Sequence, residues 1–445
     1  MKVKMISRNP DDFVRETKNE HHKMPRNYDP ALHPMETARE YVRALNATKL
    51  ERVFAKPFVG NLSGHRDGVS CFGKHPKSLT TLASGAYDGE VRIWDLANRE
   101  SVRSFVAHEG FVRGVCYNIS GDRLYSVGDD KTIKVWNSQA PDVGDEDEPI
   151  NTILSRSMIT GITHHRKEAK FATCGEYCSI WDENRNDPLK NLKWGVDTLH
   201  HVAFNPVETS LLSCCGSDRS IILYDVREAN PLRKMVLTMK SNKLSWNPME
   251  AFNFTVANED CNLYTFDTRQ LKNPLKIHFD HVSAVTDVDY SPTGKEFVSG
   301  SYDKTVRIYH THHSHSREIY HTKRMQHIVC VAWSLDNRYV FTGSDEMNIR
   351  MWKAKASEKL GAIRPRERVA FNYQEALKQK YAAHPQIKRI ARHRQVPRSI
   401  MNKQKKMRAI KDKELRKEAN VRNHSKPGAV PFVGERKKAV LKEEV

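Results

Sequence analysis

The sequence predicts an all-β fold: a seven-bladed β-propeller with an N-terminal extension and a basic, helical C-terminal tail. Three observations carry this. A motif recurs with a period near 43 residues, its copies alternate apolar and polar positions, and nearly all the excess charge lies outside them. The motif is a short β-rich run ending in an aromatic, with an acidic turn residue six positions earlier. Clear copies run Asp88 to Trp94, Asp130 to Trp136 and Asp303 to Tyr309. The closing aromatics are Trp94, Trp136, Trp181, Tyr224, Phe266, Tyr309 and Trp352, spaced by 42, 45, 43, 42, 43 and 43 residues. A fixed period in this range marks stacked supersecondary units.

Within a copy the rhythm is that of strands. Val91 with Ile93 and Val112 with Val115 are apolar points in short β runs, and Pro206, Pro248 and Pro292 mark turns. Four antiparallel strands form one blade, which cannot bury both faces alone and so stacks on its neighbours around a channel. The seventh copy supplies only three strands. Residues 53–62 are β-capable, and they are expected to pair beside Met351 and Trp352, closing the ring and removing two open edges. The expected boundaries are 1–52 for the N-terminal extension, 53–352 for the propeller and 353–445 for the tail.

Gly64-His65 opens the first copy and Trp94-Asp95 closes it, while His108 and His281 stand at the same opening position. These residues and this period resemble the WD-repeat family. The resemblance implies a side-chain network of His65, Ser84, Asp88 and Trp94, repeated as His108, Ser126, Asp130 and Trp136. In it a carboxylate holds the imidazole, and the imidazole reaches the serine and indole. Such a set mimics a Ser/His/Asp triad, but a catalytic set occurs once and this one recurs, so its role is to satisfy buried polar groups. Copies three to five are degenerate. The turn before Trp181 is shorter and lacks its Asp, and the copies with Asp218 and Asp260 lack the opening Gly-His. These blades are expected to be less rigidly locked. In the seventh, Glu346 takes the place of the turn Asp.

Apolar residues make up 38% of the 445, enough to bury a core. No run of about 18 apolar residues occurs, which predicts no transmembrane helix. Met1 to Pro10 lacks an apolar h-region and does not read as a secretory signal. The eight cysteines form no Cys-x-x-Cys pair, so free, buried thiols in a reducing compartment are expected. The sequence predicts no catalytic, cofactor or metal site and no small-molecule substrate, hence no enzyme. His310, His312, His313 and His315 are explained by a loop at a blade edge. Asp142, Asp145, Glu146, Asp147 and Glu148 read as an acidic inserted loop, either solvated or facing a basic partner.

The net charge is +19. Lys353 to Val445 holds 27 Lys and Arg against 9 Asp and Glu, whereas the rest holds 46 against 45. The positive excess is therefore an attached arm. A helix is expected from Met35 to Leu50, with Ala38, Tyr41, Val42 and Leu45 on one face. Helices are also expected over Phe371 to Tyr381, around Ile387 to Arg394, and over Ile400 to Arg422. The candidate polyanion contacts are Lys388, Arg389, Arg392, Arg394, Lys403, Lys405, Lys406, Arg408, Lys411 and Lys413. Lys and Arg release counterions from phosphates, so a nucleic acid is the natural partner, with RNA preferred to DNA. A localisation signal is the other reading of the same residues.

The run from His33 to Ala47, then Phe54-Ala55-Lys56-Pro57-Phe58, resembles the Sof-like family of nucleolar WD-repeat proteins, and so does the tail with Ala391-Arg392-His393-Arg394 and Pro397. The resemblance covers essentially the whole chain. It implies a non-catalytic scaffold of the small-subunit processome in the nucleolus, within the nucleus. The implied partners are the U3 small nucleolar ribonucleoprotein, other processome proteins and pre-ribosomal RNA on its way to 18S. The family's vertebrate member is also described as a cullin-4-associated factor, which offers an alternative or second function as substrate receptor of a cullin-4 ubiquitin ligase. Tyr224-Asp225-Val226-Arg227 and Phe266-Asp267-Thr268-Arg269 resemble the aromatic-Asp-x-Arg box that docks onto that ligase's adaptor. The docking candidates are thus Asp225, Arg227, Asp267 and Arg269. An arginine salt-bridged within its own blade is the other reading.

Overall fold

The structure, a computed structural model, describes residues 35–139, 148–195, 198–228 and 230–444. Most of the acidic loop, 140–147, lies outside the described residues, as do 1–34. The chain forms two compact units. One joins Met1–Pro57 to Lys355–Arg394, and the other joins Phe58–Ala354 to Gln395–Val445. The segment read from sequence as a single tail is therefore shared between them.

The larger unit is a seven-bladed propeller of antiparallel sheets. The first blade comprises Val69–Lys74, Thr81–Ala86, Glu90–Asp95 and Glu100–Val106. Its first strand packs against the first strands of blades two and seven, so first strands line the axis and fourth strands form the rim. The hydrophobic core lies between blades. Val91, Ile93 and Phe105 of the first blade pack with Val115, Leu124 and Trp136 of the second, and all are buried. The ring closes as expected: Phe58–Ser63 pairs antiparallel with Asn348–Lys353, with Phe58 opposite Trp352. The pairing strand begins at Phe58, because Val53 still ends a helix and residues 54–57 are irregular.

One side-chain position recurs in every blade. Ser84, Ser126, Thr173, Ser213, Thr255, Ser299 and Thr342 stand on the second strands, and all seven are buried. In blade two, Trp136 Nε1 donates to Ser126 Oγ at 2.9 Å, and His108 Nε2 lies 2.8 Å from the same oxygen. His108 Nδ1 sits 2.9 Å from Asp130. A consistent polarity runs indole to hydroxyl to imidazole to carboxylate, which fixes a neutral imidazole with its proton on Nδ1. Burial accordingly depresses the His108 pKa; burial also pushes Asp130 upward, but its bonds from His108 and Thr132 together bring it below the usual carboxylate range. The imidazole thus bonds the serine and not the indole, and the serine oxygen accepts from the indole N–H.

Blade one departs from the expected set. His65 Nε2 meets Ser84 Oγ at 2.6 Å and Trp94 Nε1 donates to it at 2.7 Å, but Asp88 caps the Glu90 amide instead of holding His65. Glu90 is the nearest carboxylate, 3.8 Å from His65 Nδ1. The cause lies two residues after the turn Asp. Thr132 and Thr305 hydroxyls hold Asp130 and Asp303 in place beside their histidines, whereas Glu90 has no hydroxyl to hold Asp88. Blade six completes the set with His281, Ser299 and Asp303.

Blades three and seven keep the indole donor, and blades four and five satisfy the same hydroxyl by other partners. Trp181 Nε1 donates to Thr173 at 2.8 Å, and Trp352 Nε1 to Thr342 at 3.0 Å. Ser213 in blade four takes its indole proton from Trp246 of blade five, at 2.8 Å. Thr255 joins Tyr290 at 2.6 Å and Thr265 at 2.9 Å, and Thr265 continues to His278. Missing motif letters therefore do not leave these hydroxyls unpartnered.

Blades are also stitched near the axis. The Ser70 hydroxyl reaches Val112 O at 2.6 Å, Thr160 reaches Leu199 O, Asn242 reaches Val285 O, and Thr286 reaches Ile328 O. Two aspartates of blade six extend this. Asp287 accepts from Lys243 and the Val331 amide, and Asp289 from Lys74 and the Trp333 amide. Lys74 belongs to blade one, so that ion pair skips blade seven.

The smaller unit is helical: α1 is Glu36–Val53, α2 Pro365–Lys380 and α3 Pro385–Arg392. Prolines open α2 and α3, where a missing amide costs nothing. Ala44, Leu377 and Ile387 form its core. Ala38 and Val42, expected on the packing face, are exposed; the buried positions are Glu40, Ala44, Ala47 and Thr48. Apolar periodicity missed this face because it includes a carboxylate. Glu40 accepts from Lys380 at 2.5 Å and Tyr381 at 2.9 Å, and these partners hold its pKa below the usual carboxylate range.

The tail of the larger unit holds α4, Arg398–His424, and α5, Glu435–Ala439, followed by a strand, Val440–Glu444. Among the described residues no helix is long and apolar enough to cross a membrane. All eight cysteines are free thiols, six of them buried.

Two outcomes follow from ring closure and from the buried hydroxyls. Deleting residues 58–63 abolishes cooperative unfolding of the propeller; an unchanged calorimetric transition contradicts this. Ser126→Ala strands an indole N–H and an imidazole nitrogen, and should destabilise by about 2–4 kcal/mol in urea titration.

Candidate functional site

The two aromatic-Asp-x-Arg boxes occupy equivalent places. Asp225 and Asp267 end the third strands of blades four and five, opposite Leu211 and Asn253. Each aspartate caps the amide two residues on: Arg227 N at 2.9 Å and Arg269 N at 2.9 Å. The aromatic residues Tyr224 and Phe266 are buried and anchor the turn from below. The arginines then differ. Arg269 grips Asp267 with two bonds, Nε at 3.1 Å and Nη2 at 2.8 Å, and lies over the Phe252 ring at 4.6 Å. Its side chain nevertheless remains 67% exposed. Arg227 is exposed and makes no ion pair among the described residues. It borders a shallow cavity of about 290 Å³ shared with His165, Glu168 and Lys190.

Both boxes are braced from the preceding blade, a feature without a sequence signature. Lys190 Nζ reaches the Val226 and Arg227 carbonyls at 2.8 and 2.9 Å. Arg233 reaches those of Thr268 and Arg269 at 3.4 and 3.2 Å. Arg103 does the same for Asn137 and Gln139. The long cation starts on a rim strand, where nothing in local periodicity marks it.

The candidate polyanion contacts do not share one surface element. Lys388, Arg389 and Arg392 are exposed on α3 in the helical unit, and Arg394 donates to the Ala391 and His393 carbonyls, closing the end of that helix. Lys403, Lys405, Lys406, Arg408, Lys411 and Lys413 all lie on α4 in the propeller unit. That helix carries ten Lys and Arg against three Asp and Glu, and Ile400 is its one buried residue. At 1.5 Å per residue its 27 residues extend about 40 Å. Gln404 donates to Asp280 O at 2.8 Å. Lys411 differs from its neighbours: its ammonium lies 4.6 Å over the Phe279 ring and 2.9 Å from Glu435.

After α4 the chain turns back. Arg422 covers the Phe432 ring at 4.7 Å, and Lys438 pairs with Glu418 at 2.6 Å. Ala439 is buried in the core between blades four and five. Val440–Glu444 then pairs antiparallel with Pro231–Leu237 as a fifth strand of blade four. This strand is not among the elements expected from the sequence. In the histidine cluster, His315 Nδ1 meets Asp280 at 2.9 Å, while the rings of His310 and His313 lie 5.1 Å apart.

The model of the Sof1-like domain matches residues 354–440, and the model of the WD domain, G-beta repeat, matches 56–95, 99–137, 272–310 and 317–353. Those four matches are blades one, two, six and seven; the degenerate blades fall between them. The protein named DDB1- and CUL4-associated factor 13 from Xenopus tropicalis is 60% identical over 441 residues, covering 99% of each chain. The protein of the same name from Homo sapiens is 59% identical over 441 residues, again covering 99% of each chain. Protein SOF1 from Saccharomyces cerevisiae is 47% identical over 468 residues, covering 99% of this chain and 94% of its own. Similarity of this extent, spanning propeller and tail together, makes the chain a member of the Sof1-like family of WD-repeat proteins.

Proposed function

We propose that this chain is a non-catalytic scaffold of the small-subunit processome, acting in the nucleolus to support pre-ribosomal RNA processing toward 18S rRNA. The observation that carries the RNA part is α4: ten cations on an exposed helix that buries a single residue. A helix so charged has no use for its outer face within its own core, and a phosphate backbone is the complementary surface. The Ser/His/Asp sets of the propeller support the non-catalytic reading, because Ser126 and His108 are buried and already bonded to Trp136 and Asp130. The neighbours proposed for the propeller are the U3 small nucleolar ribonucleoprotein and other processome proteins, as the family resemblance implies.

The whole chain is expected to bind transcribed pre-ribosomal RNA with log Kd rising against log salt at a slope of about 3 to 7, which corresponds to roughly five to ten phosphate contacts. A flat plot rules out the phosphate-driven contact. In cell extract the protein should co-sediment with large pre-ribosomal particles and leave that fraction on RNase treatment; sedimentation only as a small species rules out the scaffold role.

A second reading is favoured by the boxes and by the name of the vertebrate relatives, which associates those proteins with DDB1 and CUL4. Asp267 holds the Arg269 fork in a fixed pose while most of that side chain faces solvent, which prepares a planar donor for a partner surface. Arg227→Ala combined with Arg269→Ala should abolish co-purification of the cullin-4 adaptor while the thermal melt of the propeller is kept. Undiminished co-purification removes the docking role.

A further inference from the structure

Helix α4 has two sides with different occupations. Ile400, Gln404 and Lys411 lie on one side, at positions i, i+4 and i+11; Ile400 is buried, and Gln404 and Lys411 contact Asp280 and Phe279 of the propeller. Lys405, Lys406, Lys413, Arg416 and Lys417 lie on the opposite side, within about a third of the circumference. All five are exposed, and the arc they span contains no Asp or Glu. The three acidic residues of the helix fall elsewhere, and one of them, Glu418, is paired with Lys438 of the returning chain.

The helix is held at both ends. Its N-terminal half is fixed by Gln404 on Asp280, and its C-terminal half by the return segment through Lys438–Glu418, Lys411–Glu435 and Arg422 on Phe432. The return segment is itself anchored by the fifth strand of blade four. In that strand Lys234 faces Glu444, Met235 faces Glu443 and Val236 faces Lys442, and Glu443 lies 3.7 Å from Arg233.

We propose that the strand Val440–Glu444 is a latch that presents the outer stripe of α4, Lys405, Lys406, Lys413, Arg416 and Lys417, as a rigid rail for the sugar–phosphate backbone of RNA. This rests on the RNA contact of the preceding section and adds which cations make it and what orients them. The rail extends about 18 Å from residue 405 to residue 417. Its rigidity matters because a helix already in place does not lose orientational freedom on binding.

The latch separates orientation from charge. Truncation after Ala439 removes Lys442, Glu443 and Glu444, so the protein becomes more positive by one unit. If charge alone decides, affinity for RNA holds or rises. If the latch orients the rail, affinity falls about 5- to 10-fold although every α4 cation remains. The experiment measures binding of the whole chain, the truncated chain and Lys442→Pro to a labelled pre-ribosomal RNA fragment across salt. Lys442→Pro is a milder break that places proline in the paired strand, opposite Val236. Limited proteolysis within 413–431 should quicken in both variants while the propeller melt is kept. A third variant, with Lys405, Lys406, Lys413, Arg416 and Lys417 each changed to Gln, should flatten the salt slope by about 3.5. Wild-type affinity in both latch variants overturns the latch. A wild-type slope in the Gln variant overturns the rail, as does polyglutamate competing no worse against RNA binding by that variant than by wild type. Absence of salt-dependent binding by the unaltered chain overturns the RNA contact itself.

Discussion

A buried hydroxyl on the second strand of each blade sets the terms for the rest of the fold. A hydroxyl with no access to water must be hydrogen-bonded, and each of the seven is. The hydroxyl reaches between strands, so whatever satisfies it ties the sheet to a loop, to the aromatic of the third strand, or to the next blade. The His, Asp and Trp of the best repeats are one solution. The Tyr290, Thr265 and His278 set around Thr255 is another. The fold requires the bond and leaves the donor open, which explains how three blades drift from the motif without losing their place in the ring.

Ring cohesion uses two further kinds of bond at different radii. Near the axis, side chains of first strands reach backbone carbonyls of the next blade. At the rim, Lys190, Arg233 and Arg103 reach the turn carbonyls after the next third strand. The aromatic-Asp-x-Arg boxes sit on the turns held by the rim bonds. Their arginines are thus carried on backbone fixed by a neighbour, and the geometry of the pair depends on blades three to five being packed together.

The architecture was legible because the repeat is written in side chains. A closing aromatic, a turn acid and a period near 43 are local and survive substitution, and they located all seven blades and the closing strand. What escaped was of three kinds. The donor to Ser213 comes from Trp246, 33 residues away in the next blade, so no repeat unit contains the pair. The failure of Asp88 to hold His65 turns on Glu90 replacing a threonine, a difference of one hydroxyl. The strand at Val440–Glu444 pairs through its backbone and is half charged, so neither alternation nor apolarity marks it. Composition likewise placed the cations on the tail, but only the helix phase, the burial of Ile400 and the contacts of Gln404 and Lys411 divide them into an outer set and an inner one.

The closing strand also imposes an order in time. Phe58–Ser63 leaves the ribosome before any blade is complete, and its partner Asn348–Lys353 is made only after the other strands of the closed ring, with the strand Val440–Glu444 added later still. Some 285 residues separate Ser63 from Asn348, and at roughly 5–20 residues per second their synthesis takes about 15–60 s. Through that interval the nascent chain carries one strand with nothing to pair and a growing arc with an open edge. Early blades can form, but the cooperative unit cannot exist until translation has nearly finished the propeller, and a chaperone that shields strand edges would have its longest task here.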